Sequence, residues 1–212
     1  MNKLFTAALL SAALATPALA EDGLYYGLGL GYSSMTSTTE DSFGPSLSSS
    51  FDGAVLGVTF GYRRDASSIF YAAEIDSDLG FGQEFSSDIV DFTCADLAIG
   101  PYYCTHDITV RLRGVVGTQV GAYELFGSLG AVVVNGTSAV FSNEFDDVIN
   151  TGYTVGLGIQ RPLGSGTGRF ELIYDRANND NGPDNDNGPD EFLGDVYHPD
   201  YEAVTLKGTF LF

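Results

Sequence analysis

Charged residues recur at every second position in two separate segments of the chain. Glu74 and Asp76 are two residues apart, and so are Arg111 and Arg113. Side chains two positions apart in a β-strand point to the same face, so each pair predicts a charged row on one strand. Where such strands are neighbours, carboxylates face guanidinium groups. Two interpretations fit the facing rows: a path or gate for ions, and a structural network of ion pairs.

The structural network is the interpretation that energetics favour. A charge taken out of water costs several kcal/mol unless it is paired. Eight charged residues lie at alternate strand positions that would all face the interior of the sheet: Glu74, Asp76, Arg111, Arg113, Glu124, Glu171, Asp175 and Lys207. We expect them to form an interior network of salt bridges.

The two cysteines, Cys94 and Cys104, have nine residues between them. A disulfide is the default pairing of two cysteines in an exported protein. It would close a small surface loop and contribute about 2–3 kcal/mol in the chain-entropy model. A metal-binding or nucleophilic role is the alternative.

The two histidines, His106 and His198, lie close in the chain to Asp107 and Asp200. A histidine with such a partner can act as a general base, but no nucleophile motif lies beside either one. The segment 164–166 is Gly-Ser-Gly and lacks the G-x-S-x-G pattern of a nucleophile elbow. We expect two exposed loop histidines and assign no catalytic residue.

A hexapeptide, Asn-Asp-Asn-Gly-Pro-Asp, occurs twice in succession, at residues 179–184 and 185–190. Its closely spaced oxygens are of the type that binds Ca²⁺. The spacing departs from that of an EF-hand loop, because Gly188 stands where the third ligand counted from Asp184 is required. We interpret the repeat as a duplication within a tolerant loop and assign no metal and no cofactor.

The first twenty residues have the pattern of a secretory signal. Lys3 precedes the short apolar segment Leu4–Ala15, and Ala18-Leu19-Ala20 resembles a cleavage site. The apolar part is too short for a transmembrane helix. The predicted organisation is a signal peptide at residues 1–20 and one domain at residues 21–212.

Apolar residues alternate with small or polar residues along the remaining chain, which is the period of β-strands. Eight segments show the pattern: 23–32, 53–63, 69–77, 107–118, 123–135, 150–161, 169–176 and 201–212. Seven of them reach the roughly 9–11 residues of a tilted membrane strand. Backbone groups in lipid must all be paired, so membrane strands close into a barrel. Eight strands leave no aqueous channel, which favours the structural network over an ion path.

The connections alternate between short and long. The short ones are 64–68, 119–122 and 162–168, and the long ones are 33–52, 78–106, 136–149 and 177–200. The long segments hold 18 acidic residues and no Lys or Arg, within a chain of net charge −19. This division is typical of outer-membrane barrels, which have short periplasmic turns and long extracellular loops. The acidic balance argues against binding nucleic acid.

With its alternating segments, its short and long connections and its signal peptide, the chain resembles a small outer-membrane β-barrel protein of the OmpA/OmpX and opacity-protein-like class. The resemblance includes an alternating last strand with a terminal aromatic residue, formed here by Val204, Leu206, Phe210 and Phe212. In that class the ending is an assembly signal, which implies outer-membrane lipid and the barrel-assembly machinery as partners. Two features depart from the class: there is no Trp, and we expect no peptidoglycan-binding domain in addition to the barrel.

The alternation fits two barrels that differ in which face is inside. A soluble barrel of the lipocalin type has its apolar face inside, and a membrane barrel has it outside. Seven glycines lie on the less apolar face: Gly27, Gly29, Gly31, Gly57, Gly61, Gly156 and Gly158. Glycine makes room for large neighbours in a narrow lumen, so we expect this face to be inside.

The expected fold is an all-β, eight-stranded antiparallel transmembrane barrel with long extracellular loops and short periplasmic turns. Its expected role is structural, or interaction with an unknown surface ligand or cell partner through the acidic loops, without an open channel. The alternatives are an enzyme that acts on lipid A or peptides at the extracellular rim, as some barrels of similar appearance do, and a small pore.

Overall fold

The computed structural model describes residues 22–39, 47–80, 86–87, 102–139, 145–178 and 199–212. Residues 1–20, Cys94, His198 and the tandem hexapeptide lie outside them, so the predictions made for those residues stay predictions. The strands are β1 (Gly23–Thr39), β2 (Leu47–Ala66), β3 (Ile69–Gly80), β4 (Ser86–Ser87), β5 (Tyr102–Val120), β6 (Tyr123–Ala139), β7 (Phe145–Leu163), β8 (Gly166–Asn178) and β9 (Pro199–Leu211).

Eight of these strands form a closed antiparallel barrel. Strands β9, β8, β7, β6, β5, β3 and β2 follow one another from β1, and β1 pairs with both β2 and β9. The two-residue strand β4 pairs with Ser49 and Ser50 of β2 and is an addition to the barrel. Closure removes the sheet edges that would otherwise expose unpaired backbone groups. The predicted fold class is confirmed.

The strands join through two-residue turns at one end of the barrel. The turns occupy residues 67–68, 121–122 and 164–165. The first turn residue has positive φ in each case: Ser67 at 61°, Gly121 at 65° and Gly164 at 63°. Positive φ at that position alone is the signature of a type II′ hairpin, whose twist matches that of the flanking strands.

At the opposite end several strands extend beyond their predicted bounds. Strand β1 continues from the predicted end at residue 32 to Thr39, and it keeps its pairing with β2 to the register Thr39–Leu47. Alternation does not mark this extension, because residues 33–39 are Ser-Ser-Met-Thr-Ser-Thr-Thr and are polar on both faces except at Met35. The predicted long connections were therefore too long on this side.

Exposure alternates along each barrel strand, and the apolar side chains are outside. In β3, Tyr71 and Ile75 are 52% and 54% exposed, whereas Glu74 and Asp76 are 1% and 0% exposed. A soluble barrel would have the opposite arrangement. The interior is therefore polar and charged, and strand parity determines which side chains meet there.

Candidate functional site: the charged interior of the barrel

Arg111 is at the centre of the buried network. Its Nε and Nη2 donate to the two carboxylate oxygens of Asp175 at 2.9 and 2.6 Å. Its Nη1 donates to Asp76 at 2.9 Å and to Asp78 at 2.5 Å. One guanidinium thus joins three carboxylates from strands β3 and β8, and a planar fork of donors suits such multiple pairing.

Lys207 approaches the same carboxylates from β9. Its Nζ donates to both oxygens of Asp76, at 2.9 and 2.7 Å, and to Asp78 at 2.6 Å. Thr59 donates a further hydrogen bond to Asp76 at 2.7 Å. The amine passes over Gly57, where an added Cβ would collide with it. Gly57 therefore provides the space through which Lys207 reaches its partners.

A second group surrounds Glu74, one inward position nearer the turns. Arg113 donates to Glu74 at 2.9 Å and to Glu171 at 2.8 Å. Arg169 donates to the other oxygen of Glu74 at 2.6 Å. Tyr25 also donates to Glu74, and its ring lies over Gly61, where a Cβ would overlap it. Every charge in this group has an opposite partner within hydrogen-bond distance.

The third group lies at the turn end of the barrel. Arg63 forms two hydrogen bonds with Glu124, at 2.9 and 2.7 Å. Gln160 donates to Glu124 at 2.7 Å and accepts from Arg169 at 2.8 Å, so it links this group to the one around Glu74. The polar interior is therefore continuous from the turn end to Arg111.

The structure places all eight charged residues named from the sequence inside the barrel. It adds Asp78, Arg63 and Arg169, which that set omitted. Asp78 lies one residue past the predicted end of its strand, yet it continues the parity of Glu74 and Asp76. The alternation of inward and outward positions along each strand was thus the signal that could have identified all three additional residues.

The described interior charges nearly balance. The cations are Arg63, Arg111, Arg113, Arg169 and Lys207, and the carboxylates are Glu74, Asp76, Asp78, Glu124, Glu171 and Asp175. Removing one partner of such a pair leaves an uncompensated buried charge, which typically costs about 3–5 kcal/mol. The network therefore holds the eight strands in one arrangement.

Two buried apolar layers accompany the ion pairs, one toward the strand extensions and one among the ion pairs nearer the turns. The layer toward the strand extensions contains Met35, Val55, Val132, Val134, Ala177, Tyr201 and Ala203. The layer toward the turns contains Phe70, Val115 and Phe126. Arg63 lies 4.0 Å from the centre of the Phe70 ring, and Arg169 lies 4.7 Å from that of Phe126. These layers and the ion pairs together occupy the middle of the described lumen, and a pocket lined in part by Tyr25, Gln160 and Thr167 remains at the turn end.

The predicted exposure of His106 was wrong. His106 lies inside β5 and is 1% exposed, with its ring stacked against Tyr201 at 6.2 Å between centroids. Its Nε2 is 2.7 Å from the hydroxyl of Thr109, which is also buried. Asp107 is exposed and lies at the irregularity where the register of β5 with β6 shifts between His106 and Ile108. His106 and Thr109 are therefore both part of the barrel interior.

The predicted disulfide and the predicted assembly signal of the last strand both stay predictions. Cys94 and the side chain of Cys104 lie outside the described residues, so the disulfide stays a prediction.

In β9, Val204 and Leu206 are exposed on the outer face. Phe212 stacks on Tyr26 with ring centroids 5.1 Å apart, and its amide donates to the carbonyl of Tyr26 at 2.7 Å. The last residues thus pair with β1 and close the barrel.

The outer surface has the composition of a membrane-facing surface. Along β1, Leu24, Leu28, Leu30 and Tyr32 are 79%, 53%, 68% and 58% exposed. The outward positions change to polar at Ser34. Exposed apolar patches of this extent are incompatible with water, whereas an apolar band of about 25 Å around the circumference is the feature of barrels in lipid.

The chain is a transmembrane β-barrel. Its glycines bear out the argument made from the sequence, since Gly57, Gly61 and Gly156 lie against interior side chains. Among the described residues no helix is long and apolar enough to cross a membrane.

Comparisons with known proteins give similarities in structure alone. No protein-family model matches the chain, and no curated protein matches its sequence. The crystal structure of Ail, the attachment invasion locus protein of Yersinia pestis, is 13% identical, with TM-score 0.44 and coverage of 90% of this chain and 99% of Ail. Neisserial surface protein A is 9% identical, with TM-score 0.40 and coverage of 87% and 95%. The N-terminal β-barrel domain of Pseudomonas aeruginosa OprF is 9% identical, with TM-score 0.40 and coverage of 87% and 97%.

Proposed function

We propose that this chain is a bacterial outer-membrane protein with a structural or surface-interaction role, exerted through acidic extracellular loops, and that it is not an open channel. The observation that carries the proposal is the buried cross-section of the barrel around Arg111. Arg111 is 2% exposed, is bonded to Asp76, Asp78 and Asp175, and lies between two buried apolar layers. A barrel with this interior is suited to anchoring its loops rigidly.

The charge distribution supports the role of the loops. The segments that join strands at the end opposite the two-residue turns are 40–46, 81–101, 140–144 and 179–198, and they contain 13 acidic residues without a Lys or Arg. Functional residues are commonly carried on loops that a rigid scaffold positions. A dense negative charge there repels anionic surfaces and attracts cationic ones.

Two measurements test the two parts of the proposal. An epitope inserted at residues 185–190 should be labelled on intact cells, and one inserted at residues 164–165 should be labelled only after permeabilisation. Deletion of residues 179–190 should make the electrophoretic mobility of the cells less negative. The reverse labelling pattern would overturn the orientation, and unchanged mobility would count against an exposed acidic surface.

The absence of a channel has its own test. Purified protein refolded into planar bilayers at neutral pH should give no single-channel currents. Steady conductance from correctly folded protein would overturn this part of the proposal and favour the small pore.

A further inference from the structure

The outward face of the barrel has a hollow between two rows of side chains on β1, β2, β3 and β5. The row farther from the turns is Tyr26, Phe60, Ile75 and Leu112, which the strand register aligns. The next row toward the turns is Leu24, Tyr62, Ala73 and Gly114. The first row and the first two positions of the second row carry large side chains, and the last two positions of the second row, Ala73 and Gly114, are small.

The hollow is large enough to hold a ligand. Its volume is about 440 Å³, within the roughly 300–1,000 Å³ of small-molecule sites. Ala73 lines the hollow, and Gly114 lies next to Ala73 in the same outward row. A Cβ placed on Gly114 would meet no heavy atom closer than the Leu129 carbonyl oxygen at 3.9 Å. The space above this glycine is therefore open, in contrast to the tightly filled glycines inside the barrel.

A cation lies just beyond the hollow on the side of the turns. Arg64 pairs with Tyr71 in the next outward row, two residues along the strand from Tyr62, which is a distance of roughly 7 Å. The side chain of Arg64 is exposed and points outward. Tyr62 and Tyr71, both about half exposed, flank it. Arginine is well suited to bind phosphate, and tyrosine is enriched at membrane interfaces.

We propose that this hollow binds one phospholipid of the leaflet nearer the turns. An acyl chain lies over Ala73 and Gly114, and the phosphate lies at Arg64. A concave apolar surface at the depth of the hydrocarbon core is filled by hydrocarbon, and the single exposed guanidinium at its interfacial end provides the complementary charge. The proposal rests on the transmembrane placement of the barrel and does not depend on the role of the loops.

The first test fills the hollow without disturbing the interior. Gly114→Leu adds a side chain where space is open. Gly127→Leu is the matched control, because Gly127 is also an outward glycine with only ordinary contacts, at 3.6 Å from Leu157. Native mass spectrometry of delipidated protein titrated with phosphatidylglycerol measures the number and affinity of bound lipids. We expect one tight lipid on the wild type and on Gly127→Leu, and roughly tenfold weaker binding to Gly114→Leu.

The second test separates the headgroup from the acyl chain. Arg64→Gln should weaken binding of phosphatidylglycerol roughly fivefold and leave binding of diacylglycerol unchanged. Arg161→Gln is the control, since Arg161 is also outward at the turn end but its guanidinium already lies over the Tyr123 ring at 5.7 Å. It should leave the affinity for both lipids unchanged.

Two results of the lipid-binding measurements would overturn the proposed lipid site. Equal lipid binding by the wild type and Gly114→Leu would overturn it, provided that both proteins show the heat-dependent gel mobility of a folded barrel. Protein dimers that Gly114→Leu disrupts would also overturn it and assign the hollow to a second copy of the chain. Failure of the lipid test leaves the surface labelling and bilayer recordings unaffected, so it is distinguishable from failure of the proposed function.

Discussion

Arg111 and Asp175 meet inside the barrel through two parallel hydrogen bonds of 2.9 and 2.6 Å, although 64 residues separate them in the chain. Neither residue has a partner of opposite charge in its own strand. The pair forms because β5 and β8 lie on opposite sides of a lumen narrow enough for one guanidinium to span. The interior network is therefore a product of barrel closure.

Replacing Arg111 tests how strongly the network stabilises the barrel. Arg111→Met removes the guanidinium that joins Asp76, Asp78 and Asp175. Lys207 still pairs with Asp76 and Asp78, and Arg113 lies 3.8 Å from Asp76. We expect the free energy of unfolding in lipid vesicles, measured by urea titration, to fall by about 3–5 kcal/mol.

The control for this loss is Arg176→Met. Arg176 lies outside the barrel, half exposed, 3.6 and 3.5 Å from Asp200 and Glu202. Exposed pairs of this type contribute about 0–1 kcal/mol, so this variant should unfold close to the wild type. Equal losses in the two variants would contradict a special role for the interior pairs.

Gly61 should be intolerant of a side chain. In Gly61→Ala the new methyl group overlaps the ring of Tyr25, which must move away from Glu74. We expect a lower temperature for the heat-dependent shift in gel mobility. Gly114→Ala, in open space on the outer face, should keep the wild-type temperature, and a similar drop there would show that any added methyl group weakens the barrel.

The apolar layers should keep the lumen closed even when the ion pairs are weakened. Asp76→Asn removes a carboxylate that Arg111 and Lys207 share. The layer around Val132 and Tyr201 remains packed, so bilayer recordings of this variant should stay silent. Channel openings in Asp76→Asn, absent from the wild type, would instead make the ion pairs the barrier to conduction.

The disulfide predicted between Cys94 and Cys104 has a direct test. Denatured protein from the cell envelope should take up no alkylating reagent before reduction and two equivalents after it, as mass spectrometry would show. Alkylation before reduction would establish free thiols. We expect reduction to leave the heat-dependent mobility of the barrel unchanged, because the ion pairs and apolar layers described in the lumen include no residue between Cys94 and Cys104.

The alternation of apolar and polar residues predicted the strands correctly within the membrane and missed their extensions beyond it. Residues 69–77 of β3 have a lipid-facing row and an interior row, so their period is visible. Residues 33–39 of β1 have polar groups on both faces, and the sequence pattern cannot distinguish them from a loop. His106 was misjudged for a different reason, because the register of β5 with β6 shifts between Tyr103 and Thr105 and between His106 and Ile108, which interrupts the alternation.

The sequence by itself determined which face of each strand is charged, because side chains alternate with a fixed period of two residues. That period placed Glu74, Asp76, Arg111 and Arg113 on interior rows before any contact was known. The tertiary structure alone decided which of them pair. Closure of the ring and the stagger between strands bring Lys207 to Asp76 across 131 residues of chain, and no local pattern encodes a distance across the lumen.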